Sequence, residues 1–248
     1  VEGSKREQAD CLYGRGLAMT GLGRCQDALT AYRQALEAYR QVEGTERRQA
    51  LVLFNIGDCL EDLRHYQEAV TAHEQSLDLY QQIGGTERQQ AICRENMANC
   101  LRRAGRPEEA MTAYRQALET YRQVEGSERD QADCLLSTGN VLDDVGRYEE
   151  AVEAYRQALE TYRRVEGTTQ DQGICLENTG NTLRRAGRPE EALTAYRKAL
   201  ASYRKVEGSE RDQADCLGGI GRALDALKRR EEALNAYRQA LEAYRAVS

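Results

Sequence analysis

The chain has 248 residues, and Asp plus Glu outnumber Lys plus Arg by 41 to 35, for a net charge of −6. That balance argues against nucleic acid, whose phosphates call for a basic surface or stripe. No apolar run approaches the roughly 20 residues that span a bilayer, and no signal peptide opens the chain, so the expectation is a cytoplasmic protein with no membrane partner.

One unit accounts for the whole chain. The triplets Val1-Glu2-Gly3, Val42-Glu43-Gly44, Ile83-Gly84-Gly85, Val124-Glu125-Gly126, Val165-Glu166-Gly167 and Val206-Glu207-Gly208 recur every 41 residues. They divide it into copies 1–41, 42–82, 83–123, 124–164, 165–205 and 206–246. A fixed period of this length marks a solenoid, in which each unit packs on its neighbours. The expectation is one all-α solenoid over 1–248. A start without Met and limits at repeat boundaries suggest a fragment of a longer protein.

Each copy opens on a hydroxyl: Ser4, Thr45, Thr86, Ser127, Thr168 and Ser209. Three residues on come Glu7, Gln89, Asp130, Asp171 and Asp212, with Arg48 the exception. This predicts a capping box that satisfies the open amides of a first helix. In the fourth copy that helix carries the stripe Ala132, Leu135, Gly139, Leu142 and Val145, and Gly146 ends it, as Gly23, Gly105 and Gly187 do elsewhere. The second helix runs from about Tyr148 to Arg164. Its stripe is Tyr148, Ala151, Val152, Tyr155, Ala158, Leu159 and Tyr162. Pro107 and Pro189 begin it in two copies, where a missing amide costs little.

Leu135, Gly139, Leu142, Gly146, Tyr148, Ala151, Tyr155 and Ala158 resemble the tetratricopeptide repeat in order and spacing. The extra residues over the usual 34 fit one more turn per helix. Units of this length are similar to those of kinesin light chains, Pins-type spindle-orientation adaptors and the sensor arrays of bacterial STAND signalling ATPases. The resemblance implies a right-handed superhelical α-solenoid of six helix-turn-helix repeats. It implies no one function, since the family is a scaffold.

The second helices are nearly constant, and their tyrosines (Tyr32, Tyr114, Tyr155, Tyr196, Tyr237, and Tyr39 through Tyr244) read as interlocking core. The second copy drifts, with His73 and Ser76. The cysteines read as buried small apolar groups in a reducing compartment, because Cys11, Cys93, Cys134, Cys175 and Cys216 share a position with Val52. No metal site or other cofactor is expected. Arg94 replaces a stripe leucine and should cost stability unless it snorkels or pairs.

The first helices vary, and the variation falls where the resemblance places the concave face. A fixed frame with one changing face suggests a recognition surface for a protein or peptide. Asn55, Asn96 and Asn178 recur at one position, and Asn99, Asn140 and Asn181 at another; carboxamides can pair with an extended peptide backbone or with one another. Charged rungs alternate: Asp58, Glu61 and Asp62, then Arg102 and Arg103, then Asp143 and Asp144, then Arg184 and Arg185. Opposite charges on successive helices can pair. Arg222 and Asp225 continue the face in the sixth copy. Tyr13, Leu17, Leu51 and Phe54 form an apolar group at its start, an anchor site or a seam under an upstream repeat.

No nucleophile–base pair, metal-ligand cluster or phosphate loop occurs, so the expectation is a non-enzymatic binding scaffold, the sensor or adaptor part of a larger signalling protein. The alternative is a structural spacer or self-associating array, natural or designed, without a groove ligand. Leu234, Tyr237, Leu241 and Tyr244 on the last helix have no successor to cover them, which predicts end-to-end association. The near-identity of the copies favours a designed scaffold; eight cysteines, His73 and Arg94 favour natural amplification.

Overall fold

A computed structural model describes residues 2–247. Among them every regular element is helical: α1 (Glu2–Gly21), α2 (Cys25–Arg40), α3 (Glu46–Asp62), α4 (Tyr66–Gln82), α5 (Glu87–Arg103), α6 (Pro107–Tyr121), α7 (Glu128–Asp144), α8 (Tyr148–Tyr162), α9 (Thr169–Arg185), α10 (Pro189–Tyr203), α11 (Glu210–Ala226) and α12 (Arg230–Val247). Two compact units divide the chain, Val1–Val124 with α1 to α6 and Glu125–Ser248 with α7 to α12. In each, three helical hairpins stack so that the second helix of one packs on the first helix of the next. No described helix is long and apolar enough to cross a membrane.

The hairpin turn is three residues long, and its middle residue is left-handed. Gly23, Gly105, Gly146 and Gly187 hold φ between 70° and 78° there, while Arg64 and Lys228 adopt 63° and 61° with a side chain. In all six turns the amide two residues past the first helix's C-cap reaches back five residues, as from Arg147 N to Leu142 O at 2.8 Å. This closes the last turn in the Schellman manner. That residue's side chain then pairs forward onto the next helix, as in Arg147–Glu150 at 2.6 Å. Such exposed pairs stabilise by about 0–1 kcal/mol.

The connection between hairpins corrects the capping-box expectation. The five hydroxyls from Thr45 to Ser209 precede first helices, but none makes a side-chain cap bond. Their ψ values of 11–24° are not the extended backbone of a side-chain cap. They face the helix just completed. Thr45 Oγ1 donates to Tyr39 O (2.7 Å) and is also 2.8 Å from Val42 O. Thr168 and Ser209 reach the matching carbonyls of Tyr162 and Tyr203, at 2.6 Å in both cases. The Gln four residues on, not the acid three on, completes the lock: Gln49 Nε2 donates to Thr45 Oγ1 at 3.0 Å and Gln213 Nε2 to Ser209 Oγ at 3.1 Å. Asp171 and Asp212 bind neighbouring side chains instead, Arg129 and Gln170. Ser4 lies inside α1 and is exposed, as is Glu7, so the first copy has no such lock.

The core is aromatic ring on small residue. Tyr155 lies against Gly139, where an added Cβ would stand 2.5 Å from the ring, and Tyr196 and Tyr237 sit likewise on Gly180 and Gly221. Eight ladder tyrosines from Tyr32 to Tyr203 are at most 2% exposed; Tyr237 and Tyr244 remain about 40% exposed on α12. Cys93, Cys134, Cys175 and Cys216 are fully buried, like Val52 at their shared position. Cys11 is the exception and is exposed, because no preceding hairpin in the structure lies over α1. Burial pushes the Cys93 thiol up to about 11 and the Cys175 thiol up to about 12, which keeps both protonated and inert. Arg94 is half-buried and reaches Thr120 Oγ1 at 3.4 Å, so its charge escapes the stripe along α6.

Candidate functional site

The candidate residues sit on one stripe of each first helix, at spacings of three and four residues. In the first unit the stripe is bonded between hairpins. Asn55 Nδ2 on α3 donates to the Tyr13 hydroxyl on α1 at 3.1 Å. Asn96 Nδ2 on α5 donates to Asp58 Oδ1 on α3, also at 3.1 Å. Arg103 lies 3.3 Å from Glu61. Burial pushes the Asp58 carboxyl up to about 7, with the Glu61 charge adding to it, against the donation from Asn96.

The second unit repeats this plan. Asn178 Nδ2 on α9 donates to Asn140 Oδ1 on α7 at 3.1 Å, and Asp143 accepts from Thr182 Oγ1 at 2.9 Å and from Arg185 Nη1 at 2.6 Å. The Arg185 guanidinium also lies 5.4 Å from the Tyr148 ring centroid. The alternating charges therefore form the α3–α5 and α7–α9 pairs, each acid accepting from the hairpin that follows.

A tyrosine fixes the other asparagine of each row. The Tyr114 hydroxyl donates to Asn99 Oδ1 at 2.5 Å, Tyr155 to Asn140 Oδ1 at 2.8 Å and Tyr196 to Asn181 Oδ1 at 2.8 Å. The carbonyl end of each carboxamide is committed. No hydrogen bond takes its Nδ2 hydrogens among the described residues, and each side chain is half-exposed. The result is one oriented amide donor on each of α5, α7 and α9.

Other expected residues are not joined to this network. Leu17 is 45% exposed. Asp62 is exposed and receives the Cys25 thiol at 3.5 Å. Arg222 and Asp225 are exposed. Arg184, by contrast, is half-buried and hydrogen-bonds the Tyr196 hydroxyl, which ties it to the asparagine row. Phe54 turns its ring toward His73, with centroids 5.3 Å apart.

The structure adds a feature that the residue patterns did not single out. A cavity of about 550 Å³ opens between Arg6, Arg47, Arg48, Leu51, Tyr80 and Gln89. A smaller one of about 140 Å³, sharing Leu51, Tyr80 and Gln89, continues it to Phe54 and Ile92. The sequence marks Leu51 and Phe54, with Tyr13 and Leu17, as an anchor site or a seam under an upstream repeat; it does not mark the arginine rim or Tyr80 as part of that group. Among the described residues no group of three or more His, Cys, Asp or Glu side chains is placed to hold a metal ion.

No curated protein matches the chain in sequence. Solved structures resemble it in fold. BtubC (BKLC) from P. vanneervenii is 18% identical, with 90% of this chain and 91% of that chain covered and a TM-score of 0.77. The nearly identical TPR-like repeats of a Podosopora anserina protein classed as a kinesin light chain are 17% identical, with 82% and 97% covered and a TM-score of 0.67. A Rap protein complexed with Competence and Sporulation Factor is 19% identical, with 95% and 74% covered and a TM-score of 0.61. The family profile of the tetratricopeptide repeat matches residues 7–82, 48–123, 89–164 and 171–246, and a second profile of the same repeat matches 132–205. With hairpins of this build and profile matches along nearly its whole length, the chain belongs to the tetratricopeptide repeat family.

Proposed function

We propose that the protein is a non-enzymatic scaffold whose first-helix face binds an extended segment of a protein or peptide partner, as the sensor or adaptor part of a cytoplasmic signalling protein. The observation that carries this reading is the pair Asn140 and Asn181 in the second unit, a build that Asn99 repeats in the first. Each has its oxygen tied to a tyrosine hydroxyl and its amide hydrogens open. A fixed donor suits a backbone carbonyl, which every peptide has, whatever its sequence. A Rap protein of the same fold, solved in complex with Competence and Sporulation Factor, supports a binding role for this fold.

Asn→Asp separates binding from folding, because Asp keeps the acceptor for tyrosine and removes the donor. Peptides selected from a random phage-displayed library on the wild type should bind the Asn140→Asp/Asn181→Asp variant about tenfold more weakly, the loss of two net hydrogen bonds of ~0.5–1.5 kcal/mol each. Unchanged affinity would remove the reading. A second reading, self-association of the array, is favoured by Leu234, Tyr237, Leu241 and Tyr244, which are 40–51% exposed on α12.

A further inference from the structure

Five of the six hairpins satisfy the second ladder tyrosine with a carboxylate of their own. Tyr39 donates to Asp10 at 2.5 Å, Tyr121 to Glu95 at 2.8 Å and Tyr203 to Glu177 at 3.0 Å; Tyr162 and Tyr244 donate to Asp133 and Asp215. The acid comes from one of two places on the first helix, three residues apart. The α3–α4 hairpin has Leu51 and Phe54 at both. Its tyrosine, Tyr80, still has its ring packed in the core at 5% exposure, but its hydroxyl has no hydrogen-bond partner among the described residues. That residue lines the cavity described above, whose rim carries the exposed Arg6, Arg47 and Arg48. No ion pair engages these arginines among the described residues.

We infer that this cavity binds an acidic–apolar segment of the partner: an Asp or Glu carboxylate takes the place of the missing internal acid at Tyr80 beneath the arginines, and an adjoining apolar side chain rests on Leu51, Phe54 and Ile92. The chemistry is complementary in both parts. Three unpaired cations and a phenol donor select an anion, and a charge-assisted bond to a partly enclosed carboxylate is stronger than a neutral one. Just beside them the smaller cavity is walled by aliphatic and aromatic groups, which hold a side chain by burial of its apolar area. Exchanging the internal acid for apolar groups converts a structural bond into an open site. The inference rests on the first-helix face being a binding surface, and it names the residue class bound at one place on it.

The test uses the whole chain and a random peptide library displayed on phage. Selected peptides should carry Asp or Glu beside an aliphatic or aromatic residue, and replacing that acid by its amide should weaken binding about tenfold. Leu51→Asp restores the internal acid that Asp10, Asp133 and Asp215 supply elsewhere. It should fold and bind these peptides about tenfold more weakly, and Tyr80→Phe should weaken them several-fold. Affinity should also fall with added salt, which screens the arginine rim. Selected peptides without a carboxylate, or equal affinity for wild type and Leu51→Asp, would overturn the inference. If such peptides still lose affinity in Asn140→Asp/Asn181→Asp, the broader groove reading survives. A library that yields no binder overturns both.

Discussion

At the scale of single residues the second hairpin is where the frame departs from its own rule. His73 takes a ladder tyrosine's place, with its ring over Gly57, where an added Cβ would stand 2.5 Å from it. The side chain is fully buried, and neither ring nitrogen has a hydrogen-bond partner; the Asp58 carboxylate is 3.7 Å from Nε2, too far for one. Burial lowers the imidazole from 6.5 to about 4. A depressed histidine contributes stability that is present above 6.5 and lost as pH falls towards 4, because the unfolded chain takes up the proton first. Asp58, pushed up to about 7, acts in the opposite sense and loses stability as pH rises through that value. His73→Phe keeps a ring over Gly57 and removes two orphaned polar atoms. It should stabilise the protein by about 1–3 kcal/mol at neutral pH. The advantage over wild type should widen as pH falls from about 6.5 to about 4. Urea unfolding at pH 7 and at pH 4.5 checks the sign; an advantage that shrinks on acidification would refute it.

At the scale of elements the hairpin turns make a similar comparison within one molecule. Four turns spend a glycine on the left-handed residue, and two force Arg64 and Lys228 into it. A side chain there costs roughly 1–2 kcal/mol against the right-handed alternative, offset in part by the entropy that glycine loses on folding. Arg64→Gly and Lys228→Gly should each stabilise by about 0.5–1 kcal/mol, read as a rise in the midpoint of thermal or urea unfolding, and a fall would show that their side chains contribute more than the strain removes. Hairpins, turns and ladder were legible in the sequence because each is written as a period: small residues under tyrosines, glycine at one turn position, apolar residues three and four apart. The hydroxyls before the first helices were legible as boundary markers but not in their role. A hydroxyl at a boundary can bond forward or backward, and only ψ decides. The asparagine rows were legible as rows; that Asn140 spends its oxygen on Tyr155 and Asn178 depends on two other helices. The cavity at Tyr80 was half legible: Leu51 and Phe54 read as apolar. That they displace a tyrosine's acid emerges only when three positions on two helices are brought together.

At the scale of the whole molecule the exposed apolar groups are unevenly spread. Leu234, Tyr237, Leu241 and Tyr244 follow each other at steps of three and four, a single seam along α12, and each is 40–51% exposed. Full burial of such a side chain is worth about 1.5–3 kcal/mol, and these are already half covered. A contact between two copies through this seam, eight side chains in all, therefore gains on the order of 8 kcal/mol, against an association cost of about 4–15 kcal/mol. The balance allows only weak association, visible at high protein concentration and lost on dilution. The net charge of −6 opposes it further, so added salt should strengthen the contact, whereas it should weaken an acidic peptide held by Arg6, Arg47 and Arg48. The two salt responses separate self-association from ligand binding in one preparation. Light scattering across a dilution series should show mean mass rising with concentration for the wild type. It should stay at the monomer value for Leu234→Lys/Leu241→Lys, which places two ammonium groups on the seam without touching the first-helix face. A wild type that is monomeric at every concentration removes the self-association reading, and a variant that still associates moves the contact off α12.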